Sequence, residues 1–408
     1  MRCLLLTSHF YPESFRCNDI AFELVRRGYE VTVLTAIPDY PQGKFYKGYS
    51  LFKRRCEQIQ GVKVIRVPII PRGKGKAVRM VLNYASGTFF QLLYALWHAL
   101  FHRYDCIFVH QLSPAFIGLP GVLVKKIQRI PMDLWILDMW PQSLAAGGIR
   151  NPFVYKQIDA MMDFIYRNSA IIHISSLGFR KLLRERNVPD EKIVYLPNWS
   201  DDSIINTRSV DIPELPQGFI IMFAGNLGEA QNLENVLKAA SLLKEHKMIH
   251  WVFLGDGRKK PWMEHYVAEN HLEDTVHLMG RYPIDAMPEF FKKADVMLVS
   301  LADELVFNLT LPAKVQAYMS CAKPIVAMLN GEGQEIVKDA GCGWCVGATD
   351  VEGLAREVLS ICRISNEQLK AIGQNGYDYY MKHFHKDICM DIVDSALKQL
   401  TLNKLEHE

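Results

Sequence analysis

The segment Phe223-Ala-Gly-Asn-Leu-Gly-Glu-Ala-Gln-Asn232 has the form of a strand end, a glycine turn and a helix start. Amides at a helix start attract phosphate, and Gly225 and Gly228 let the backbone approach one closely. Taken alone this is an ordinary strand-to-helix turn, but two more turns of the same form follow it. These are Phe253-Leu-Gly-Asp-Gly-Arg258, trailed by Lys259 and Lys260, and Leu278-Met-Gly-Arg-Tyr282. Three strand ends with glycine, two of them carrying Arg258 and Arg281, make a cradle for a phosphate or a base edge. A fourth piece is Asn308-Leu-Thr-Leu-Pro-Ala-Lys-Val-Gln-Ala-Tyr-Met-Ser-Cys-Ala-Lys-Pro-Ile-Val-Ala327, a loop, a helix and a strand. Earlier in the chain, His9, Tyr11 and Glu13 follow the first apolar run, His110-Gln111 closes another, and Leu137-Asp-Met-Trp-Pro141 closes a third. Asp138 has two readings there, a carboxylate presented to a ligand at a strand's carboxyl end and a helix N-cap.

These residues sit in a regular alternation of elements. Cys3 to Thr7 is a strand, the periodicity of Asn18 to Arg27 is helical with Gly28 as its stop, and Val31 to Thr35 is the next strand. Strand, helix and strand at this spacing form a right-handed parallel unit. The pattern repeats to Pro197 and predicts one open parallel sheet. It starts again at Phe219 and runs through strands at His250–Leu254, Val276–Met279, Val296–Val299, Pro324–Met328 and Gly343–Val346. The expectation is an α/β chain of two doubly wound domains, 1–197 and 219–385, with a polar linker at 198–218 and a C-terminal helix at 386–408 that could pack back on the first domain. Doubly wound sheets bind ligands at the carboxyl ends of their strands, which predicts a site in a cleft that the two domains face.

The motifs resemble those of the family 4 retaining glycosyltransferases, whose fold is GT-B, two Rossmann-like domains facing a central cleft. The resemblance covers nearly the whole chain and is most specific over 308–327. It implies a nucleotide-sugar donor, by resemblance UDP-linked, on the second domain. Two glutamates of the family fall on Asn308 and Gln316, and its phosphate-binding Arg and Lys fall on Asn226 and Gln231. Lys314, in the first turn of the helix, is the candidate to replace the lost cations and stabilise the leaving diphosphate, and is classed as catalytic with Asp138 and His110. The resemblance places Gly225, Asn226, Gly228, Gln231, Arg258, Arg281, Tyr282, Asn308, Thr310, Leu311, Pro312 and Gln316 against the donor, and His9, Tyr11, Glu13 and Trp140 against the acceptor. The similar subgroup contains N-acetyl-fucosamine transferases of O-antigen synthesis and related capsule and exopolysaccharide enzymes. It implies a polyprenyl diphosphate-linked saccharide acceptor. Two rivals stay open: a UDP-sugar 2-epimerase, and a catalytically silent sugar-nucleotide-binding partner of an assembly complex.

Composition narrows the field. The net charge of +3 over 408 residues gives no basic face of the kind nucleic-acid binders carry. Nine cysteines, an odd number, fit a reduced compartment. Cys342-Gly-Trp-Cys345 reads as a redox pair or as two small buried hydrophobes beside a turn. No Asp-x-Asp follows a strand and no His/Cys cluster has ligand spacing, so no metal and no cofactor are expected. No secretory leader is visible, so the expectation is a cytoplasmic chain. The stretch 80–101 lacks Asp, Glu, Lys and Arg and follows Arg72, Lys74, Lys76 and Arg79. It is long enough to span a bilayer, but Asn83, Ser86, Gln91 and His98 interrupt it. Two readings stand, a core helix and a helix seated in the inner-leaflet interface of the cytoplasmic membrane with the basic cluster against its headgroups.

Overall fold

The computed structural model of the protein describes residues 1–73, 77–146, 151–205 and 210–405. The chain divides into two compact units. The first comprises Met1–Ser175, Phe179–Leu196 and Met390–Glu408, the second Ser176–Gly178 and Pro197–Cys389. The segment read as a linker, 198–218, therefore falls within the second unit, together with Pro197.

The first unit begins with β1 (Arg2–Thr7), α1 (Arg16–Arg26), β2 (Glu30–Ala36), β3 (Cys56–Ile59) and β4 (Val62–Val67). It continues through α2 (Ala77–Phe101), β5 (Cys106–Gln111), α3 (Gly118–Gln128) and β6 (Met132–Ile136). The helices α4 (Gln142–Ala146) and α5 (Pro152–Asn168), then β7 (Ile171–Ile174), α6 (Phe179–Glu185) and β8 (Ile193–Tyr195) close the series. Among the described residues its sheet has eight strands in the order β3-β4-β2-β1-β5-β6-β7-β8. Both faces are covered by helices, so β5 and β6 are buried along their whole length, as parallel central strands must be. The expected all-parallel sheet needs one correction: β3 pairs antiparallel with β4. Gln60 and Gly61, at φ +47° and +83°, make the two-residue turn between them. The polar, half-exposed run Cys-Glu-Gln-Ile gave no strand signal, and Gln-Gly is a weaker turn mark than Asn-Gly.

The second unit runs α7 (Asp202–Ile205), β9 (Phe219–Ala224), α8 (Leu233–Leu242), β10 (Ile249–Leu254), α9 (Lys260–Glu269) and β11 (Val276–Gly280). Then come α10 (Met287–Lys293), β12 (Val296–Ser300), α11 (Leu305–Asn308), α12 (Ala313–Ser320), β13 (Ile325–Met328), α13 (Glu332–Asp339) and β14 (Gly343–Val346). Helices α14 (Val351–Ile361), α15 (Asn366–His383) and α16 (Lys386–Leu405) end the chain. Its six strands, among the described residues, are ordered β11-β10-β9-β12-β13-β14 and all pair in parallel. The order reverses beside β9, the switch point where such sheets place ligands. Cys342 precedes β14 and Cys345 lies on it. Burial raises both thiols, to about 12 and about 11, so neither has the activated thiolate of a redox pair.

From Met390 onward α16 belongs to the first unit. Tyr29 Oη donates to Asp394 Oδ1 at 2.6 Å, and Arg27 and Lys398 bring their cations to Oδ2 at 3.3 and 2.8 Å. Burial pushes the Asp394 carboxyl up, but the hydrogen bonds from Lys398, Tyr29 and Arg27 outweigh it and hold it below its ordinary value. A depressed carboxyl contributes stability above its unfolded-state value and loses it as the pH falls through the folded one. Asp394→Ala should lower the unfolding free energy by about 2 kcal/mol at pH 7. The gap from wild type in urea denaturation should close toward pH 3; equal midpoints at pH 7 would remove this role from Asp394.

Candidate active site

At the carboxyl ends of β9, β10 and β11 the three glycine turns are bonded to one another. The Gly225 amide donates to the Leu254 carbonyl at 2.9 Å and the Gly255 amide to Gly280 at 2.8 Å. The Leu227 amide donates to Asp256, and the Lys259 amide to Leu227, both at 2.9 Å. Side chains have no room there. A Cβ on Gly255 would lie 1.8 Å from the Gly225 carbonyl oxygen, and one on Gly257 would lie 2.3 Å from the Leu227 oxygen. Gly225 and Gly255 both hold φ near +145°, a conformation open only to glycine. The next stretch is pinned too. Ser300 Oγ donates to the Gln231 carbonyl at 2.6 Å, the Ala302 amide to Ala230 at 2.9 Å, and the Tyr318 hydroxyl bridges the amide and carbonyl of Ala224 at 3.0 and 3.2 Å.

Lys314 lies behind this turn. Its Nζ sits 3.7 Å from the centre of the Phe223 ring and donates to Gln231 Oε1. A Cβ on Gly225 would reach 2.6 Å from Lys314 Cε. Burial pushes the amine down to about 7. The structure thus brings Gly225, Gln231 and Lys314 together, with Gly228 and Asn226 on the same turn. Arg258 and Arg281 are exposed at the neighbouring strand ends, and Tyr282 packs on Phe290 with ring centres 4.6 Å apart. Asn308 Nδ2 donates to Asp303 at 2.8 Å, Thr310 Oγ1 to the Val306 carbonyl at 2.7 Å, and the Leu311 amide to Ser176 Oγ at 2.8 Å, with Pro312 as the N-cap of α12. Gln316 is buried and gives Nε2 to the Asn198 carbonyl at 2.8 Å, which leaves Oε1 buried without a partner among the described residues. The sequence reading missed Phe223, Tyr318 and Glu332. Glu332 takes the Leu177 and Gly178 amides at 2.8 and 2.6 Å, and burial pushes it up to about 7 despite them.

In the first unit, His9 Nδ1 lies 2.9 Å from Glu13 Oε2, and Arg72 Nη2 donates to His9 Nε2 at 2.9 Å. A guanidinium only donates, so Nε2 is the acceptor and Nδ1 carries the proton given to Glu13. Glu13 Oε1 accepts the Asp39 and Tyr40 amides at 3.0 and 2.7 Å, and Asp39 Oδ2 accepts the Arg72 amide at 2.9 Å. The ligand-capable atoms of His9, Glu13 and Asp39 come within 4.8 Å of one another. Arg72 stands among them, which makes the group a closed network around a cation. A cavity of about 30 Å³ beside it, lined by His9, Asp39, Arg72 and Asn83, has room for water but not for a sugar. Arg72 is also a correction to the basic cluster: its charge faces this network, only Arg79 of the cluster is described as exposed, and Lys74 and Lys76 lie outside the described residues.

Asp138 is held by a relay that the sequence did not show. Trp140 Nε1 donates to Ser113 Oγ at 2.9 Å, and Ser113 donates to Asp138 Oδ2 at 2.6 Å. The carboxylate is thus oriented by a serine, and Trp140, itself buried, supports it from behind. His110 is buried with Nδ1 3.1 Å from Thr7 Oγ1 and Nε2 without a partner among the described residues. Burial pushes it down to about 3, so it is uncharged at neutral pH. Tyr11 has an exposed ring and gives its amide to Asn18 at 3.0 Å.

Two family descriptions fit this chain: Glycosyl transferase 4-like domain over residues 14–199 and Glycosyl transferases group 1 over 207–379. Among relatives, the protein named "Probable glycosyltransferase WbjE" of Pseudomonas aeruginosa is 27% identical over 286 residues, 66% of this chain and 70% of that one. The protein named "Putative colanic acid biosynthesis glycosyl transferase WcaI" of Escherichia coli K12 is 24% identical over 325 residues, 73% and 76% of the two chains. The Anabaena protein HepE, solved with UDP and glucose, superposes with a TM-score of 0.68 at 14% identity over 98% of this chain and 99% of its own. That likeness shows the fold, which is GT-B.

The glycine contacts rank two substitutions. Gly225→Ala meets the far end of a lysine, which can move, and should cost about 1–3 kcal/mol, mostly backbone strain. Gly255→Ala meets a backbone carbonyl and should cost clearly more. Urea midpoints of the two variants check the order; equal losses would show that the turns separate at little cost.

Proposed function

The chain is a glycosyltransferase, a glycosyl transferase 4-like domain followed by a group 1 domain, and from that premise we propose that it moves a sugar from a UDP-sugar to a lipid-linked saccharide in the synthesis of a surface polysaccharide such as O-antigen or capsule. The observation that carries the donor half is the Lys314 amine lodged behind the Gly225 turn, beside amides at a strand-to-helix junction. HepE, solved with UDP, supports the choice of nucleotide, and WcaI, named for colanic acid biosynthesis, supports the class of product. The finer reading of the sugar is an N-acetylated amino or deoxy sugar.

The donor's C1–O bond to the diphosphate breaks while the acceptor oxygen bonds to C1 on the same face. The acceptor's proton passes to the departing phosphate oxygen, so retention needs no protein base. Lys314 and the amides near Gly228 take up the charge that develops on the diphosphate. Gln316 offers its unpartnered Oε1 to a ribose hydroxyl, Arg281 and Tyr282 border the base, and Asp138, set by Ser113, orients a sugar hydroxyl.

The acceptor's lipid brings the enzyme to the cytoplasmic face of the inner membrane, and α2 supports this. No helix among the described residues is long and apolar enough to cross a membrane. Yet Val78, Val81, Leu82, Phe89, Leu93, Leu96, Trp97 and Leu100 are all exposed, Trp97 at 57%. At about 100° per residue they share one face of a 25-residue helix that has no acidic residue. Arg79 and Arg103, both exposed, stand near its two ends. Such a stripe fits the plane of an anionic bilayer.

Transfer from a panel of UDP-, GDP- and dTDP-sugars to a polyprenyl diphosphate-linked saccharide should succeed with one UDP-sugar, and Lys314→Ala should lose about 100-fold or more in kcat. UDP binding with no transfer in any combination would favour the silent partner. The double variant Phe89→Glu/Leu93→Glu should reduce binding to vesicles with anionic lipid about tenfold while leaving UDP affinity unchanged; unaltered vesicle binding would remove α2 from the membrane contact.

A further inference from the structure

Lys314 is an unusual cation to find in the floor of a phosphate cradle, because what holds it is neutral. Among the described residues its partners are the side-chain carbonyl of Gln231 and the face of Phe223. A ring face and an amide oxygen attract an ammonium, but far less than a carboxylate does. The acidic groups on the surrounding elements are engaged elsewhere. Glu229 and Glu234 pair with Lys259, Asp256 Oδ1 takes the Gly257 amide, and Asp303 takes Asn308. The Tyr318 hydroxyl, one turn along α12, is fixed on Ala224. The other cations of the cradle, Arg258 and Arg281, are exposed. The backbone of Gln231 is itself anchored through Ser300, so its side chain is presented from a rigid base.

We propose that Gln231 is a positioning residue: in the empty site it and Phe223 hold the Lys314 amine in reserve beside Gly225, and the donor's diphosphate then takes the place of Gln231 as the partner of that amine. This deepens the donor reading above and rests on it. Glycine at 225 suits the same arrangement, since the end of the lysine lies where a side chain would start. Burial without a counter-charge pushes the amine down to about 7. A diphosphate supplies that counter-charge and raises the amine's affinity for its proton. Near and above neutral pH, binding therefore takes up a proton at Lys314. By linkage, affinity must fall as the pH rises above the empty-site value, until the bound-state value is reached.

The test is calorimetric titration of the full chain with UDP from pH 6 to 9, in two buffers of different ionisation enthalpy. Wild type should lose close to tenfold in affinity per pH unit above about 7.5 and take up most of one proton at pH 8. Lys314→Met supplies the baseline for UDP's own titration and should bind more weakly, with no proton uptake above that baseline. Gln231→Glu should hold the amine charged before UDP arrives. Its proton uptake should fall to the baseline, and its affinity at pH 7 should fall about tenfold because the carboxylate competes with the diphosphate. Circular dichroism melts confirm that each variant is folded, and should Lys314→Met not fold, Gln231→Glu alone decides. Uptake in Gln231→Glu equal to that of wild type overturns the proposal, as does wild type that matches Lys314→Met, and either leaves the donor reading intact. Failure of wild type to bind any nucleotide of the UDP, GDP and dTDP set overturns the donor reading itself.

Discussion

The second unit's site depends on the contact of two backbone turns. The turns after β9 and β10 approach so closely that neither Gly255 nor Gly257 has room for a single carbon. That approach fixes the direction of the amides at 225–228, sets the entry of α8, and opens the hollow that Lys314 fills. It is a purely steric constraint, and it has an electrostatic consequence. A lysine on α12 can reach the Gly225 turn from behind because the turn in front of it carries no side chain.

The sequence made the second unit's strands and this cradle legible because buried parallel strands are continuous apolar runs and glycine turns punctuate them. The sequence makes Lys314 the natural candidate to replace two cations that the resemblance leads one to expect. Its setting was not legible. Phe223 is the fifth residue of β9 and reads as core, and nothing in the local pattern says that its ring faces an amine 91 positions away. Ser113 and Arg72 were hidden for a similar reason. Each acts through a partner distant in sequence, Asp138 and His9, and pairing across a sheet leaves no mark on periodicity. Strand β3 was missed because a half-exposed edge strand need not alternate.

Helix α2 shows how one sequence feature can carry two opposite meanings. Asn83, Ser86, Gln91 and His98 look like interruptions of an apolar run. In the structure they point into the first unit. Asn83 donates to the Ile70 carbonyl at 2.7 Å and Gln91 to Thr7 at 3.2 Å, Ser86 takes the Ile70 amide at 3.0 Å, and His98 meets Tyr104 at 2.7 Å. The inner face therefore carries satisfied polar groups beside the small Ala95 and Ala99, and the outer face keeps the leucines, Phe89 and Trp97. This inverts the usual amphipathic pattern, in which the apolar stripe seeks the core. The features that argue against a membrane-spanning helix are the ones that free an apolar face for another surface.

The amides at positions 226, 231, 308 and 316 are best understood together. In the family this chain resembles, two cations and two glutamates stand there, and removing only one kind would unbalance the site. Loss of the cations alone would leave two carboxylates facing a diphosphate. Loss of the carboxylates alone would leave cations with no counter-charge in the empty site. Replacing all four by neutral amides preserves the local balance and leaves Lys314, among the described residues, with no acidic hydrogen-bond partner. A salt bridge to Lys314 would have to be broken each time a diphosphate bound, at the cost of exposing a buried charge. An amide lets go at far lower cost. On the donor reading proposed above, Asn308 and Gln316 need not be marks of decay, and the neutral residues let a single buried lysine serve the diphosphate.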